Sequence, residues 1–443
     1  MKTNFKQQAL LLMSLFLILV ACSGSEIDGS NEESPNPEPE PDKAAQSIIT
    51  FDNPGQVIDV FFYDIKQGNK NLENADEANE IFNIDDANGL RIPIRGENKI
   101  PAHPSAGVVV EDMYTDVLQS ITLAKQARGG KELKIFASKK LDGQASFPGW
   151  VKDGNGIIPK QYAILIADFI EFMNSKGVTI DYLGIDNEFI YNEGNITPQK
   201  YSETITELRT LLINKGLAMP LLVGYEDYGP DKRNWVKTLM DNGWGDTMDI
   251  YGTHYYPQWR PKTKLMADLA LIGNRPFWST EPHWDGKADI NDFDEAEAGI
   301  VAFWDQIDVG MSGFMWWNYS IGNNVRGKLM RATSAPMLGA QPIKITDIDG
   351  ESIEALGKLQ TRAFIEGKTI TVFAVNINNT ERSGYTFKID NGNINGKVTS
   401  LQWTETSSID GTSRLLEVNG KNNNIFSLTL PKRSITRFIL TLK

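Results

Sequence analysis

The sequence predicts an α/β fold, a (β/α)8 TIM barrel with a C-terminal antiparallel β-sandwich domain. Three observations predict it. Short apolar runs alternate with helical segments through most of the chain. The alternation stops near residue 356, beyond which only strand-like runs and Asn/Gly turns occur. Residues 23–46 hold nothing that could build a core.

In chain order, Lys2 and Lys6 precede an apolar stretch at 9–20, too short to span a bilayer comfortably. Leu19-Val20-Ala21-Cys22 is similar to a bacterial lipobox. Residues 1–21 are therefore expected to be a lipoprotein signal peptide and Cys22 the lipidated residue, anchoring a secreted protein to a bacterial outer membrane or cell surface. Cys22 is the single cysteine, which rules out an internal disulfide framework. Residues 22–46 are rich in Ser, Glu, Asn and Pro and read as a flexible tether.

The barrel is expected over 47–340. Its strands are read at 57–62, 90–94, 133–137, 180–185, 220–224, 248–255, 276–280 and 313–318, each short and apolar as a strand covered on both faces should be. The clearest helices are 113–127, 159–176, 198–215 and 292–307, with Pro159 and Pro198 at first-turn positions that tolerate proline. Eight strands with helices between them over about 270 residues match the size of such a barrel. The sandwich is expected over 341–443, with strands at 369–376, 385–389, 398–403, 415–418, 426–430 and 435–440. Asn391-Gly392, Asn395-Gly396 and Asn419-Gly420 supply the turns between them. A further strand at 47–51 precedes the barrel and is a candidate to join the sandwich.

Composition narrows the function. A formal net charge of −13 repels phosphate backbones and excludes nucleic acid as a natural partner. Three scattered histidines, His103, His254 and His283, show no metal-ligand spacing, so no metal site is expected. No phosphate-cradling glycine loop is present. Ten Trp and thirteen Tyr supply flat rings, most of them for the core and some for stacking on sugars.

Barrel chemistry sits at the C-terminal ends of the strands. The fourth strand runs out into Asp186-Asn187-Glu188 and the seventh into Thr280-Glu281-Pro282. Two glutamates nearly opposite each other across the mouth suit retaining glycoside hydrolysis. One carboxylate attacks the anomeric carbon and a partly desolvated carboxyl protonates the leaving oxygen. Glu281 is read as nucleophile and Glu188 as acid/base, with Asn187 placed to hydrogen-bond a sugar hydroxyl.

These residues resemble the clan A glycoside hydrolases, most of all family 30. Asn187-Glu188 looks like that family's acid/base pair and Thr280-Glu281 like its nucleophile pair. Leu90-Arg91-Ile92-Pro93-Ile94 resembles its second-strand motif, whose arginine lies beside the nucleophile. Phe147-Pro148-Gly149-Trp150-Val151-Lys152 resembles its Pro-x-Trp-Met-Lys stretch, which implicates Trp150 in binding. Gly252-Thr253-His254-Tyr255-Tyr256 is similar to its sixth-strand region, and Trp316-Trp317-Asn318 to its eighth. The resemblance spans about 48–443. It implies a retaining enzyme, endo or exo, that acts on a β-linked extracellular polysaccharide as a monomer with no cofactor.

Further site residues follow from position. Arg91 would keep the nucleophile ionised. His254 and Tyr256 would line the cleft from the sixth strand. Trp317 or Trp316 would floor the reacting subsite, the other facing the helices. Phe189 stands where the family usually has proline. Where the family's third strand commonly ends Ser-Pro-Trp-Ser, this chain has Ala137-Ser138-Lys139-Lys140, and a lysine at the mouth would bind a sulfate or uronate. That keeps open an agarase- or porphyranase-type galactan hydrolase. Tyr225-Glu226-Asp227-Tyr228 after the fifth strand, and Trp259-Arg260 and His283-Trp284 in long loops, are further cleft candidates. An inactive, glycan-binding surface lipoprotein is the reading from another class.

Overall fold

The computed structural model describes residues 45–66, 70–96, 102–140, 147–188, 196–228, 234–255, 262–282, 289–346, 359–420 and 423–443. Cys22, the leader and the tether as far as residue 44 lie outside them. Eight parallel strands close a barrel. In order around it they are β2 (Val60–Asp64), β3 (Gly89–Ile94), β4 (Lys134–Lys139), β7 (Tyr182–Gly184), β8 (Leu221–Tyr228), β9 (Ile250–Tyr255), β10 (Phe277–Pro282) and β11 (Met311–Trp316). Around it lie α1 (Ala75–Asn79), α2 (Thr115–Ala127), α3 (Pro159–Ser175), α4 (Pro198–Lys215), α5 (Trp235–Asp241), α6 (Lys262–Ile272), α7 (Phe293–Ile307) and α8 (Val325–Ser334). A small hairpin, β5 (Lys152–Asp153) with β6 (Gly156–Ile157), precedes α3.

The helices start where their caps dictate. Pro159 and Pro198 open α3 and α4, where the missing N–H costs nothing. The side chains of Thr197, Asp292 and Asn324 accept backbone N–H groups at the starts of α4, α7 and α8.

Several barrel strands differ from the sequence expectation, among them the fifth, which runs on to Tyr228 and so includes Glu226. The first starts three residues later, because Val57 is 40% exposed whereas 60–64 is buried throughout. The last ends two residues earlier, and Asn318 past it adopts φ 55°. The first shift carries Asp64 to the mouth.

The barrel interior is packed. Val60, Phe62, Phe136, Val223, Ile250, Trp278 and Met315 form its own apolar cluster, with Tyr182 against it. Phe62 and Trp278 have ring centroids 5.5 Å apart, Tyr182 and Trp278 4.7 Å. Such rings fit because glycine faces them. A Cβ on Gly313 would stand 2.7 Å from the Trp278 indole and also overlap Val60. Gly313→Ala is therefore expected to destabilise by about 1–3 kcal/mol through overpacking. Urea unfolding checks this, and an unchanged midpoint would mean that the interior is looser than described.

The remaining strands form one nine-stranded sheet in the order β17-β16-β19-β14-β13-β12-β1-β15-β18. They are β1 (Ser47–Thr50), β12 (Gln341–Thr346), β13 (Leu359–Glu366), β14 (Thr369–Asn376), β15 (Arg382–Ile389), β16 (Val398–Thr404), β17 (Thr412–Leu416), β18 (Ile425–Leu430) and β19 (Ser434–Thr441). β1 lies between β12 and β15, so a strand that precedes the barrel completes the second sheet. The sheet folds over Phe387, Phe426 and Phe438, whose centroids are 4.9–5.2 Å apart. β12 carries only one buried residue, and this weak pattern hid it from sequence reading.

The sandwich packs on α7 and α8. Arg362 donates two hydrogen bonds to Asp308, at 2.9 and 2.7 Å, and lies over the Trp304 ring. Arg331 of α8 joins Asp85 at 2.6 Å and Asp410 of the sandwich at 3.1 Å.

Candidate active site

Side chains alternate along a strand, so each barrel strand sends every second residue inward. Above the aromatic layer the inward residues become polar. Asp64, Arg91, Ser138 and Glu226 are all at most 5% exposed. Arg91 lies over the Phe136 ring at 5.5 Å and fans its donors upward. Its Nη1 donates to Asp64 Oδ2 at 3.1 Å, the Thr280 carbonyl at 3.1 Å and Glu281 Oε1 at 2.8 Å. Its Nη2 donates to Asn187 Oδ1 at 3.0 Å and to Glu226 Oε1. Ser138 Oγ donates to Glu226 Oε2 at 2.8 Å. Those carboxylates together hold the Arg91 guanidinium firmly protonated against the opposing effect of burial.

Two bulges aim the acids. The β8–β9 register shifts between Tyr225 and Asp227, and the β9–β10 register between Ser279 and Glu281. A bulge turns a side chain that regular alternation would place elsewhere, and Glu226 and Glu281 both turn into the barrel. Gly184 leaves the room, since a Cβ there would overlap Glu226 Oε2.

Glu281 is 3% exposed. Burial pushes its carboxyl up, but His254, Lys66 and Arg91 outweigh that and hold it well below the usual carboxylate range. Lys66 Nζ donates to Glu281 Oε1 at 2.7 Å and also to Asn187 Oδ1. Because Lys66 and Arg91 only donate, the Asn187 atom facing both must be its oxygen.

Glu188 stands past β7 with φ 54°, and its N–H donates to the carbonyl of Glu226, which has φ 52°. A left-handed backbone at two non-glycine residues stores strain of about 1–3 kcal/mol each and is common at functional sites. His254 Nδ1 lies 2.9 Å from Glu188 Oε1 and 3.4 Å from Glu281 Oε2. One oxygen from each glutamate and one His254 nitrogen all lie within 4.8 Å of one another. Such a trio has the donors for a divalent cation, but Lys66 and Arg91 already neutralise Glu281, which disfavours a further positive charge there.

Glu188, Glu281, Arg91, Asn187 and His254 thus meet in one cluster. Lys139, Trp150 and Trp316 stand elsewhere. Ser138 points in, so Lys139 points out. It is 2% exposed, donates to the Lys140 carbonyl at 2.6 Å and lies over the Phe147 ring at 4.9 Å. Its role as a cleft-wall cation is corrected by the strand's own alternation. Trp150 gives its indole N–H to the His103 carbonyl at 2.9 Å, tying two loop segments together. Trp316 is buried, meets the Phe303 ring of α7 at 4.6 Å and so faces the helices. Trp317 is half-buried beyond the strand and donates its backbone N–H to the Pro282 carbonyl at 3.1 Å. Tyr256, Trp284, His283, Trp259, Arg260 and Phe189 lie outside the described residues. Sequence reading missed Lys66, Asp64 and Ser138. Lys66 had no signal, because a first strand placed at 57–62 leaves it in a loop.

Comparisons with known proteins bear on the family and the fold. The family model of glycosyl hydrolase family 59 matches residues 138–340, which carry both glutamates. The chain is similar to a family 30 endoxylanase from Clostridium papyrosolvens C71, with 17% identity and a TM-score of 0.68 over 90% of this chain and 100% of that one. It is similar to a family 30 subfamily 8 xylanase from Clostridium acetobutylicum, at 17% identity and TM-score 0.67 over 89% and 99%. It also resembles an endo-β-1,6-glucanase, at 13% identity and TM-score 0.62 over 90% and 94%. No curated protein matches. At these identities the structures speak for the fold. The eight-stranded barrel with its side sandwich is the fold the sequence led one to expect, and it is similar to that of these family 30 structures.

Proposed function

We propose that this chain is a retaining glycoside hydrolase that cleaves a β-linked extracellular polysaccharide by double displacement. The carrying observation is the closeness of Glu188 and Glu281, with one oxygen of each inside the 4.8 Å cluster. Retaining enzymes space their carboxyls by about 5–5.5 Å, and inverting ones by about 6.5–9.5 Å to admit a water. Glu281, held ionised by two cations, forms the bond to the anomeric carbon as the glycosidic bond breaks. Glu188 gives its proton to the departing oxygen. In the second step Glu188 takes a proton from water, the water oxygen attacks the anomeric carbon, and Glu281 leaves. His254 keeps Glu188 beside the gap. No cofactor takes part, and the enzyme acts as a monomer. A lipid anchor at Cys22 would hold it at the bacterial surface, where such polymers are met.

The galactan reading asked for Lys139 to face the cleft, and its burial over the Phe147 ring removes that support. A binding-only barrel would have no use for a buried carboxylate held ionised at the cost of burying two cations.

The test is a product assay of residues 23–443 against β-glucans, xylans, galactans, agarose and porphyran, with Glu188→Gln as control. Sugar release from one polymer, absent in the control, is expected. Binding across the panel without release would overturn the hydrolase reading in favour of glycan capture. On an aryl glycoside of the sugar found, Glu188→Ala should lose about 10²–10⁴ in kcat/KM. Azide should restore turnover and give a glycosyl azide of retained configuration, because an anion needs no general base. An unresponsive variant, or an azide product of inverted configuration, would remove Glu188 from the acid/base role.

A further inference from the structure

Lys66 is fully buried two residues beyond β2, and the double-displacement scheme uses it only as one of two charges beside Glu281. A buried ammonium is costly unless every contact compensates it. Its placement is accordingly built. The Lys66 backbone N–H donates to Asp64 Oδ1 at 2.8 Å, and Asp64 Oδ2 takes Arg91, so one carboxylate fixes the backbone of one cation and the head of the other. The ammonium then bridges Glu281 Oε1, at 2.7 Å, and Asn187 Oδ1. These two acceptors come from the fourth and seventh barrel strands and Lys66 from the first, so the contact spans the mouth.

We propose that Lys66 is a positioning residue that clamps Glu281 Oε1 and Asn187 Oδ1 together, leaving Glu281 Oε2 as the attacking oxygen. The inference rests on the hydrolase reading and deepens it. Oε1 carries both cations, at 2.7 and 2.8 Å. Lone-pair density on that oxygen is drawn into two charge-assisted hydrogen bonds, which makes it the poorer nucleophile. Oε2 is on the side of His254 and Glu188, toward the gap where a sugar would sit. The same clamp fixes the amide of Asn187 oxygen-inward, so its NH2 group faces the other way, as a donor to a substrate hydroxyl requires. Lys66 thereby sets the nucleophile and the neighbouring substrate contact in a single geometry.

The variants are Lys66→Met, of similar length without charge, and Lys66→Ala with propylammonium added to refill the space. On the polymer identified by the product assay, Lys66→Met should lose about 10²-fold in kcat with a smaller change in KM. The acid limb of its kcat/KM profile should move to higher pH, since burial of Glu281 then goes less opposed. Propylammonium should restore part of the Lys66→Ala rate. A loss under threefold with an unmoved acid limb would overturn the proposal. A readout independent of turnover separates the two readings. Proton uptake by Lys66→Met, less that of Lys66→Met/Glu281→Gln, isolates Glu281 and is compared with wild type less Glu281→Gln. A Glu281 that titrates at higher pH in Lys66→Met is expected. If it titrates as in wild type, the clamp is overturned whether or not the chain is a hydrolase. If it shifts while wild type releases sugar from no polymer, the clamp stands and the hydrolase reading falls.

Discussion

Glu281→Gln is expected to lower kcat/KM by about 10⁴- to 10⁶-fold, the scale on which removing a covalent nucleophile acts. The neutral amide cannot form the glycosyl ester, and no other carboxylate can take its place. Glu226 is fully buried and engaged by Arg91 and Ser138, and Glu188 serves the leaving group. The fold should survive, because Arg91 keeps Asp64 and Glu226 as partners. Azide should rescue Glu281→Ala, whose truncated side chain leaves it room, with inverted configuration, the opposite of Glu188→Ala, since a single displacement replaces two. Near-normal turnover, or a retained azide product, would strike Glu281 from the mechanism. Stability supplies a second readout. Glu281 has a depressed carboxyl in the folded chain, so its contribution is present above the unfolded value of about 4.3 and is lost as pH falls through the folded value. The difference in unfolding free energy between wild type and Glu281→Gln should therefore be largest near neutrality and shrink in acid.

Arg91→Met is expected to damage fold and chemistry together. Methionine fills similar length but leaves Asp64 and Glu226 buried without their main cation. Breaking one partner out of a buried ion cluster costs about 3–5 kcal/mol. Glu281 also loses one of the charges holding its carboxyl down, so the acid limb of the pH profile should rise and kcat/KM should fall by about 10²-fold or more. Adding Glu226→Gln should recover part of the stability but not the rate, because it removes an orphaned charge without restoring the nucleophile's partner. Chemical denaturation across this double-mutant cycle measures the coupling. Additive losses, or an Arg91→Met protein as stable as wild type, would show that the cluster is not a unit.

Arg91 and Glu281 were legible as residues because strand ends are legible. An apolar run of five or six residues announces a strand, and parallel closure brings every strand's C-terminal end to one rim. Glu188, Asn187 and His254 were reached in the same way. Glu226 was visible only as one of four candidates in Tyr225-Glu226-Asp227-Tyr228, because its inward aim depends on a bulge that no pattern in the chain announces. Lys139 shows the converse. It sits at a strand end, where chemistry is expected, yet its neighbour Ser138 is the residue that points in.

The amino-acid sequence alone determined the architecture, the order of strands and helices, and the pair of glutamates on opposite sides of the mouth. These depend on composition and period, which are local. Tertiary structure decided which charges near those glutamates face the interior. It brought Lys66 and Asp64 into the site by starting the first barrel strand three residues later than the apolar run suggests, and it turned Glu226 and Glu281 inward through two bulges. The reason is the two-residue period of a strand. A shift of one residue in register sends a side chain to the opposite face, and register is set by packing against neighbouring strands rather than by the strand itself.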